Sequence, residues 1–311
     1  MERTEIIIGA NSKVAREYMD YLELKNIPTI AVYRTGDDSQ FAGYSNVIGA
    51  IRHDVRANDW SNLEKALTQT SHPRIVYLAA ETKLSPDASF NDHLAINALP
   101  VERIVNIIGN KNIPLVYVSS DMVFGGKIEG YSEDSIPLEP YQKYGITKRI
   151  GELYALKSAR GTNLRCGNIT GTERDFPSSV IKTLYDGGNP KVWTNVYNRF
   201  TGINEVCIVL DKLADYPGKQ KVFHVASSDA PMSRCELIER IIPLLEARGR
   251  IPEGSSKKLD KVKHDFKDNR PETLALKTEI TSRELGYKPV PIMCSILEKM
   301  DEPRSNYLVF N

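Results

Sequence analysis

The chain has 311 residues, with 41 lysines and arginines against 40 aspartates and glutamates, so no field of one sign marks nucleic acid or an anionic membrane as a partner and a small molecule is the expected ligand. The four cysteines, Cys166, Cys207, Cys235 and Cys294, are scattered without a Cys-x-x-Cys pair, which argues against a zinc ribbon or a disulfide framework and leaves no metal site to expect. No apolar run approaches the roughly 20 residues of a membrane helix, and Met1 to Glu5 leads into a strand-like run without a signal-peptide core, so a cytoplasmic location is expected.

Short apolar runs alternate with longer helical patterns from the start, the signature of βαβ units and a parallel sheet. Glu5 to Gly9 reads as a strand, and 12–26 as a helix with Val14, Tyr18, Leu22 and Leu24 among its apolar positions. Further strands are expected at 28–33, 47–50, 74–79, 114–118 and 163–166, with helices at 58–69, 88–110 and 141–160. Right-handed crossovers would wind these into a doubly wound, Rossmann-like α/β sheet with ligands at the carboxyl ends of its strands. Residues 171–200 read as irregular, followed by helices at 204–216 and 233–248 around a strand at 222–225. Residues 250–311 carry Pro252, Pro271, Pro289 and Pro291 among polar stretches, which suggests a smaller, lid-like region. The expected division is a dinucleotide-binding domain at 1–168 and a mainly substrate-binding region at 169–311, with 203–226 returning to the Rossmann sheet.

One segment carries chemistry. The run Leu115 to Val118 ends in Ser119-Ser120-Asp121, and Tyr144-Gly145-Ile146-Thr147-Lys148 follows a short way downstream. On a helix, Tyr144 and Lys148 lie at i and i+4 on one face. An ammonium near a phenol favours phenolate and brings the tyrosine toward the range of a general acid/base. Ser120, at the end of a strand, would hydrogen-bond the same substrate oxygen.

These residues, with Asp121-Met122-Val123-Phe124, Glu133, Pro140, Gly151-Glu152, the stretch Leu164 to Gly171, Arg270-Pro271 and Leu285-Gly286, resemble the extended short-chain dehydrogenase/reductase family and its dTDP-4-dehydrorhamnose reductase branch. The resemblance implies that Tyr144 is the proton donor, that Ser120 orients the carbonyl, and that Lys148 holds the nicotinamide ribose while lowering the tyrosine pKa. Asn97 matches the asparagine that supports the active site beside the cofactor, or is a surface helix residue. The helices at 88–110 and 141–160 are where family members commonly pair, so the resemblance allows a homodimer without fixing the oligomeric state.

The nucleotide turn departs from the family's Gly-x-x-Gly-x-x-Gly, reading Gly9-Ala10-Asn11-Ser12-Lys13-Val14-Ala15. Gly9, Asn11, Ser12, Lys13 and Val14 are the expected cofactor contacts. Ser12 stands where a glycine lets the backbone approach the pyrophosphate; a left-handed conformation there would cost about 1 to 2 kcal/mol, while its hydroxyl and the helix amides can themselves hold a phosphate. Arg34 suits a 2′-phosphate, favouring NADP(H) over NAD(H), or is a solvated loop arginine. Asp54, followed by Val55, reads the adenine amino group or caps a helix, and Ala79, Ala80 and Thr82 would line the dinucleotide's centre.

Three reactions share such a scaffold. A 4,6-dehydratase needs an Asp-Glu pair after the Ser/Thr, and Met122 cannot move a proton, which disfavours dehydration. The leading expectation is NAD(P)H-dependent reduction of a keto group on a nucleotide-activated deoxysugar. A 4-epimerase, or a binding subunit like the regulatory subunit of methionine adenosyltransferase, are the alternatives. Asp121, Met122, Asn168, Trp193, Arg199 and Arg270 are the expected substrate contacts. Arginine's planar fork suits phosphates, though each arginine also fits a structural role, and Trp193 and Phe200 also fit core packing. His224 and Cys166 read as core residues.

Overall fold

In the computed structural model, residues 3–126, 129–138, 140, 142–302 and 305–310 are described. Chain order begins β1 (Thr4–Ile8), α1 (Lys13–Leu24), β2 (Thr29–Tyr33), β3 (Val47–Arg52), α2 (Ser61–Gln69) and β4 (Pro73–Tyr77). It continues α3 (Phe90–Asn97), α4 (Leu99–Ile108), β5 (Leu115–Ser120), α5 (Lys143–Ala155) and β6 (Gly161–Cys166). Then come β7 (Ile169–Thr170), α6 (Phe176–Tyr185), β8 (Lys191–Trp193), β9 (Tyr197–Asn198), β10 (Thr201–Gly202), α7 (Ile203–Ala214) and β11 (Val222–Val225). The last elements are β12 (Met232–Ser233), α8 (Arg234–Ala247), β13 (Asp260–Val262), β14 (Thr273–Leu274), α9 (Glu279–Leu285) and α10 (Ile292–Asp301).

Seven strands form one sheet in the order β11-β6-β5-β4-β1-β2-β3, and the pairings of β1 with β2 and β4, β2 with β3, and β4 with β5 are parallel. The order reverses at β1, which opens a crevice at the carboxyl ends of β1 and β4. Both faces of the central strands β1, β4 and β5 are buried, as their apolar runs require, while the edge strand β3 has no buried residue. On one face Ile6, Ile8, Tyr77 and Tyr117 pack with Leu63 of α2 and Ile104 of α4. On the other, Arg74 is fully buried, donating from Nε to Glu5 at 2.8 Å, from Nη1 to the Leu210 carbonyl and from Nη2 to the Tyr18 hydroxyl.

The chain divides into two units, one of residues 1–125, 136–165 and 207–223, the other of 126–135, 166–206 and 224–311. The second has its own core, in which Ile181, Leu184, Phe200, Ile238, Ile241 and Ile296 are buried together. The interval 171–200 therefore contains a helix that its polar composition hides: Asp175 caps α6 by accepting the Ser178 amide, and a proline occupies its first turn. The C-terminal stretch likewise holds α9 and α10.

Other expectations need correction. Residues 88–110 are two helices, broken at Ala98 two residues before Pro100, because proline has no N–H for a bond to the preceding turn and its ring clashes with the carbonyl four residues back, while it is welcome in a first turn. In α1 the buried positions are Ala15, Tyr18, Met19 and Leu22, while Leu24 is exposed. The helix expected from residue 141 begins at Lys143, and residue 141 itself lies outside the described residues. His224 and Cys166 are buried as expected, and the four cysteines form no disulfide among the described residues.

Candidate active site

The first unit carries a cleft of about 230 Å³ at the crevice, lined by Gly9, Asn11, Ser12, Arg34, Asp54 and Ala79 among others. Gly9 makes it possible. Its φ is +95°, and a Cβ there would sit 2.4 Å from the Ala79 nitrogen, so only glycine lets the turn after β1 lie against the chain leaving β4. Ser12 is not strained. With φ −70° and ψ 152° it is extended and acts as the N-cap of α1, its hydroxyl accepting the Ala15 amide at 3.2 Å. The cost expected for a left-handed serine therefore does not arise, and α1 starts at the cleft, where helix amides without intrahelical partners favour an anion.

Asn11 organises the far wall, its Oδ1 accepting the backbone amides of Arg34 and Thr35 at 2.9 and 3.2 Å. Asp54 is held in its own turn. The paired Arg56 side chain, 2.6 Å away, keeps the Asp54 carboxyl down at about 2, and it caps no helix. Ala80, Val55 and Ala79 line the cleft, whereas Lys13, Val14 and Thr82 do not. His53, beside Asp54, and Glu81, beside Ala80, line it as well. His53 sits edge-on to Trp60, 4.8 Å between centroids, a contact no local pattern announces.

Asn97 is neither a surface residue nor part of the cleft wall. It is fully buried, its Oδ1 accepting the Glu81 amide at 2.9 Å and its Nδ2 donating to the Glu81 carbonyl and to Thr147 Oγ1, both at 3.1 Å. It ties the segment after β4 to α5.

Helix α5 docks directly on the end of β5. A Cβ on Gly145 would lie 2.0 Å from the Met122 carbonyl oxygen, so the glycine between Tyr144 and Ile146 is what allows the helix to rest on the turn that follows Ser120. Lys148 is 2 % exposed; its Nζ donates to the Val118 carbonyl at 2.5 Å and lies 4.1 Å above the Tyr117 ring, a cation-π contact. Tyr144 is half-buried, its ring 6.2 Å from that of His93. Ser120, Tyr144 and Lys148 thus gather at the carboxyl end of β5.

Ser120 is committed on both sides. Its hydroxyl donates to Asp121 Oδ1 at 2.9 Å and accepts the Met122 amide at 3.2 Å. Burial pushes the Asp121 carboxyl up to about 7, against the opposing hydrogen bond from Ser120. Asp121 is thus a partner of Ser120, 5 % exposed, rather than an open substrate contact. Behind them, Glu152 of α5 is fully buried and pairs with Arg165 of β6 through two bonds of 2.7 and 2.8 Å, which draw its carboxyl below the usual range despite burial.

The remaining expected substrate contacts lie in the second unit. Asn168 donates to Asn198 at 2.8 Å. Arg199 donates to the carbonyls of Asp229 and Leu276 at 2.8 and 3.0 Å, so two of its five donors brace the backbone. Arg270 pairs with Asp268 at 2.6 Å and lies 4.4 Å from the Trp193 ring centroid. Arg234, which sequence reading missed, lies 4.4 Å from the same centroid. Trp193 also carries His264 edge-on at 4.3 Å. Among the described residues no group of three or more potential metal ligands occurs, and no helix is long and apolar enough to cross a membrane.

A family model described as the RmlD substrate binding domain matches residues 4–302. The chain belongs to that family. Methionine adenosyltransferase 2 subunit beta of Xenopus laevis is 32 % identical over 125 residues, which is 39 % of this chain and 37 % of that one, well under two thirds of that relative's length. A probable low-salt glycan biosynthesis reductase of Haloferax volcanii is 26 % identical over 210 residues, 63 % of this chain and 69 % of the relative. The dTDP-4-dehydrorhamnose reductase of Bacillus anthracis, solved in complex with NADP, aligns with a TM-score of 0.74 at 18 % identity, over 93 % of this chain and 95 % of that one, a likeness of fold.

Proposed function

We propose that this family member reduces a keto group on a nucleotide-activated deoxysugar, using NADPH or NADH. The observation that carries the reading is the convergence of Ser120, Tyr144 and Lys148 at the end of β5, with Gly145 against Met122, in the unit that also holds the glycine-turned cleft. That cleft fits a dinucleotide: Gly9 leaves room for backbone approach, and the start of α1 suits a pyrophosphate. Arg34 on the cleft wall suits the additional phosphate of NADP, which is favoured over NAD.

When bound, the nicotinamide supplies a hydride to the carbonyl carbon. Tyr144 delivers a proton to the carbonyl oxygen, so that the C=O becomes an alcohol. The Ser120 hydroxyl, turning its proton from Asp121 Oδ1 to the substrate, holds that oxygen while charge develops on it. The Lys148 ammonium, fixed on the Val118 carbonyl, provides the positive field in which the Tyr144 phenol works. Met122, where an acid or base would be needed, speaks against loss of water.

Tyr144→Phe tests the assignment. General acid catalysis contributes about 10² to 10⁴, so the variant should lose turnover of a keto-sugar nucleotide by a factor of that order while binding NADPH as before. Unchanged turnover, or a native protein whose fluorescence shows no saturable response to either NADPH or NADH, overturns the proposal. The Xenopus laevis relative favours a second reading, a subunit that binds a partner and turns nothing over. An epimerase would instead retain NAD tightly through purification.

A further inference from the structure

The first unit carries a second cleft, of about 410 Å³, at the amino ends of β5, β6 and β11, and every residue that lines it belongs to that unit. The volume is in the range of sites that hold small molecules. Strand β5 runs from Leu115 to Ser120, and at about 3.3 Å per residue roughly 17 Å of strand separates this cleft from Ser120 and the groups gathered around it. Ligands of such sheets bind at the carboxyl ends of the strands, so nothing in the proposed reduction uses this end.

A glycine builds one wall. A Cβ on Gly218 would lie 2.1 Å from the Tyr216 hydroxyl, so only glycine lets the chain after Tyr216 fold back over its ring. The hydroxyl accepts the Gln220 amide at 3.3 Å, and Phe223 meets the ring edge-on with centroids 5.1 Å apart, which fixes the tyrosine in place.

The cleft is positive. Arg160 and Lys221 line it, and no aspartate or glutamate does. The nearest acid along the chain, Asp215, has its side chain 86 % exposed and reaches Arg3 at 3.6 Å. Exposed Lys111 and Lys219 stand next to the lining residues Asn112 and Gly218 and add to the field. Lys221 Nζ donates to the Ala159 carbonyl at 2.6 Å, which pins the ammonium beside the residue preceding Arg160 and leaves two of its three donors over. Among the described residues the Arg160 guanidinium enters no hydrogen bond or ion pair, and the Asn112 side-chain amide enters no hydrogen bond. Thr162 Oγ1 donates to the Leu115 carbonyl at 3.4 Å and keeps its lone pairs. An unused planar fork beside an ammonium suits a phosphoryl group, and an amide with a hydroxyl suits the alcohol groups of the body that carries it.

We propose that this cleft binds a phosphate monoester of a small hydroxylated molecule such as a hexose. Arg160 and Lys221 hold the phosphoryl oxygens, and Asn112 and Thr162 meet the hydroxyls. The site goes beyond the reductase reading and does not rest on it, since the two lie at opposite ends of the sheet.

Calorimetry on the whole protein, with glucose 1-phosphate, inorganic phosphate and glucose as probes, tests this without turnover. The native protein should bind the ester, more weakly at higher salt, and should bind phosphate and glucose each at least tenfold less well. Arg160→Gln should weaken ester binding at least tenfold while the urea midpoint and NADPH binding stay as they were, because that guanidinium holds nothing in the fold. Saturating ester should slow amide hydrogen exchange in residues 111–116 and 216–222 and leave the turn at Gly9 to Ser12 unchanged. Absence of ester binding, equal affinity in native and Arg160→Gln proteins, or protection confined to the Gly9 turn or to the surroundings of Tyr144 overturns the site. Equal binding of phosphate and ester overturns the ligand class, since the hydroxylated body is then not read. None of these outcomes depends on whether a keto-sugar nucleotide is reduced, so the two proposals fail separately.

Discussion

Asp121→Asn is the most informative single change at the β5 terminus. The carboxyl is 5 % exposed and burial raises it to about 7 from an ordinary value near 4. The unfolded chain gives up this proton near pH 4 and the folded one only near 7, so stability falls as pH rises between those values. At about 1.4 kcal/mol for each tenfold change in protonation, the full loss is on the order of 4 kcal/mol, and roughly 2 kcal/mol of it falls between about pH 5.5 and pH 8.5. Asparagine keeps the shape and can donate to Ser120 Oγ, but carries no charge to desolvate. Urea denaturation at both pH values should show the native protein losing about that 2 kcal/mol more than the variant. Asp175 and Glu205 are also raised by burial and add a slope of the same sign, but they are common to both proteins and drop out of the difference. The same pH dependence in both proteins would refute the reasoning, because another group would then carry it.

Two further changes test how the site is held. Gly145→Ala drives a methyl into the Met122 carbonyl, where the Cβ has only 2.0 Å; helix α5 must move off the turn, at a cost of about 1 to 3 kcal/mol. Since a shift of about 1 Å in reacting groups can cost on the order of 100-fold, turnover should fall by at least tenfold. Arg165→Met leaves Glu152 charged and fully buried beside the longer bond from Arg149, so equilibrium unfolding should show a loss of about 3 to 5 kcal/mol.

The alternating first half was legible because strands buried on both faces must be continuously apolar, and the strands observed at β1 to β6 differ from the sequence expectation mainly at their ends. Local signals also existed where the reading fell short. Pro100 marks the break between α3 and α4, and Asp175 followed by Pro177 marks the start of α6. Ser12 shows the limit of reading a turn by residue type. A serine in a glycine's place predicts strain only if the backbone is left-handed there, and that is set by how the chain leaves β1.

Sequence alone determined which groups are available: a phenol, an ammonium and a hydroxyl in order along one strand and one helix, and a glycine at the end of the first strand. That follows from local periodicity, since i and i+4 on a helix and the last residue of a strand have fixed directions. Tertiary structure decided what each group is free to do. Asn97 and Thr147, 50 residues apart, meet only when α3 packs on α5. Arg199 gives two of its donors to distant carbonyls, and Arg234, with no motif to announce it, has a buried Nε without an acceptor among the described residues. Hydrogen-bond capacity and desolvation are properties of neighbours brought together by folding, and no spacing along the chain records them.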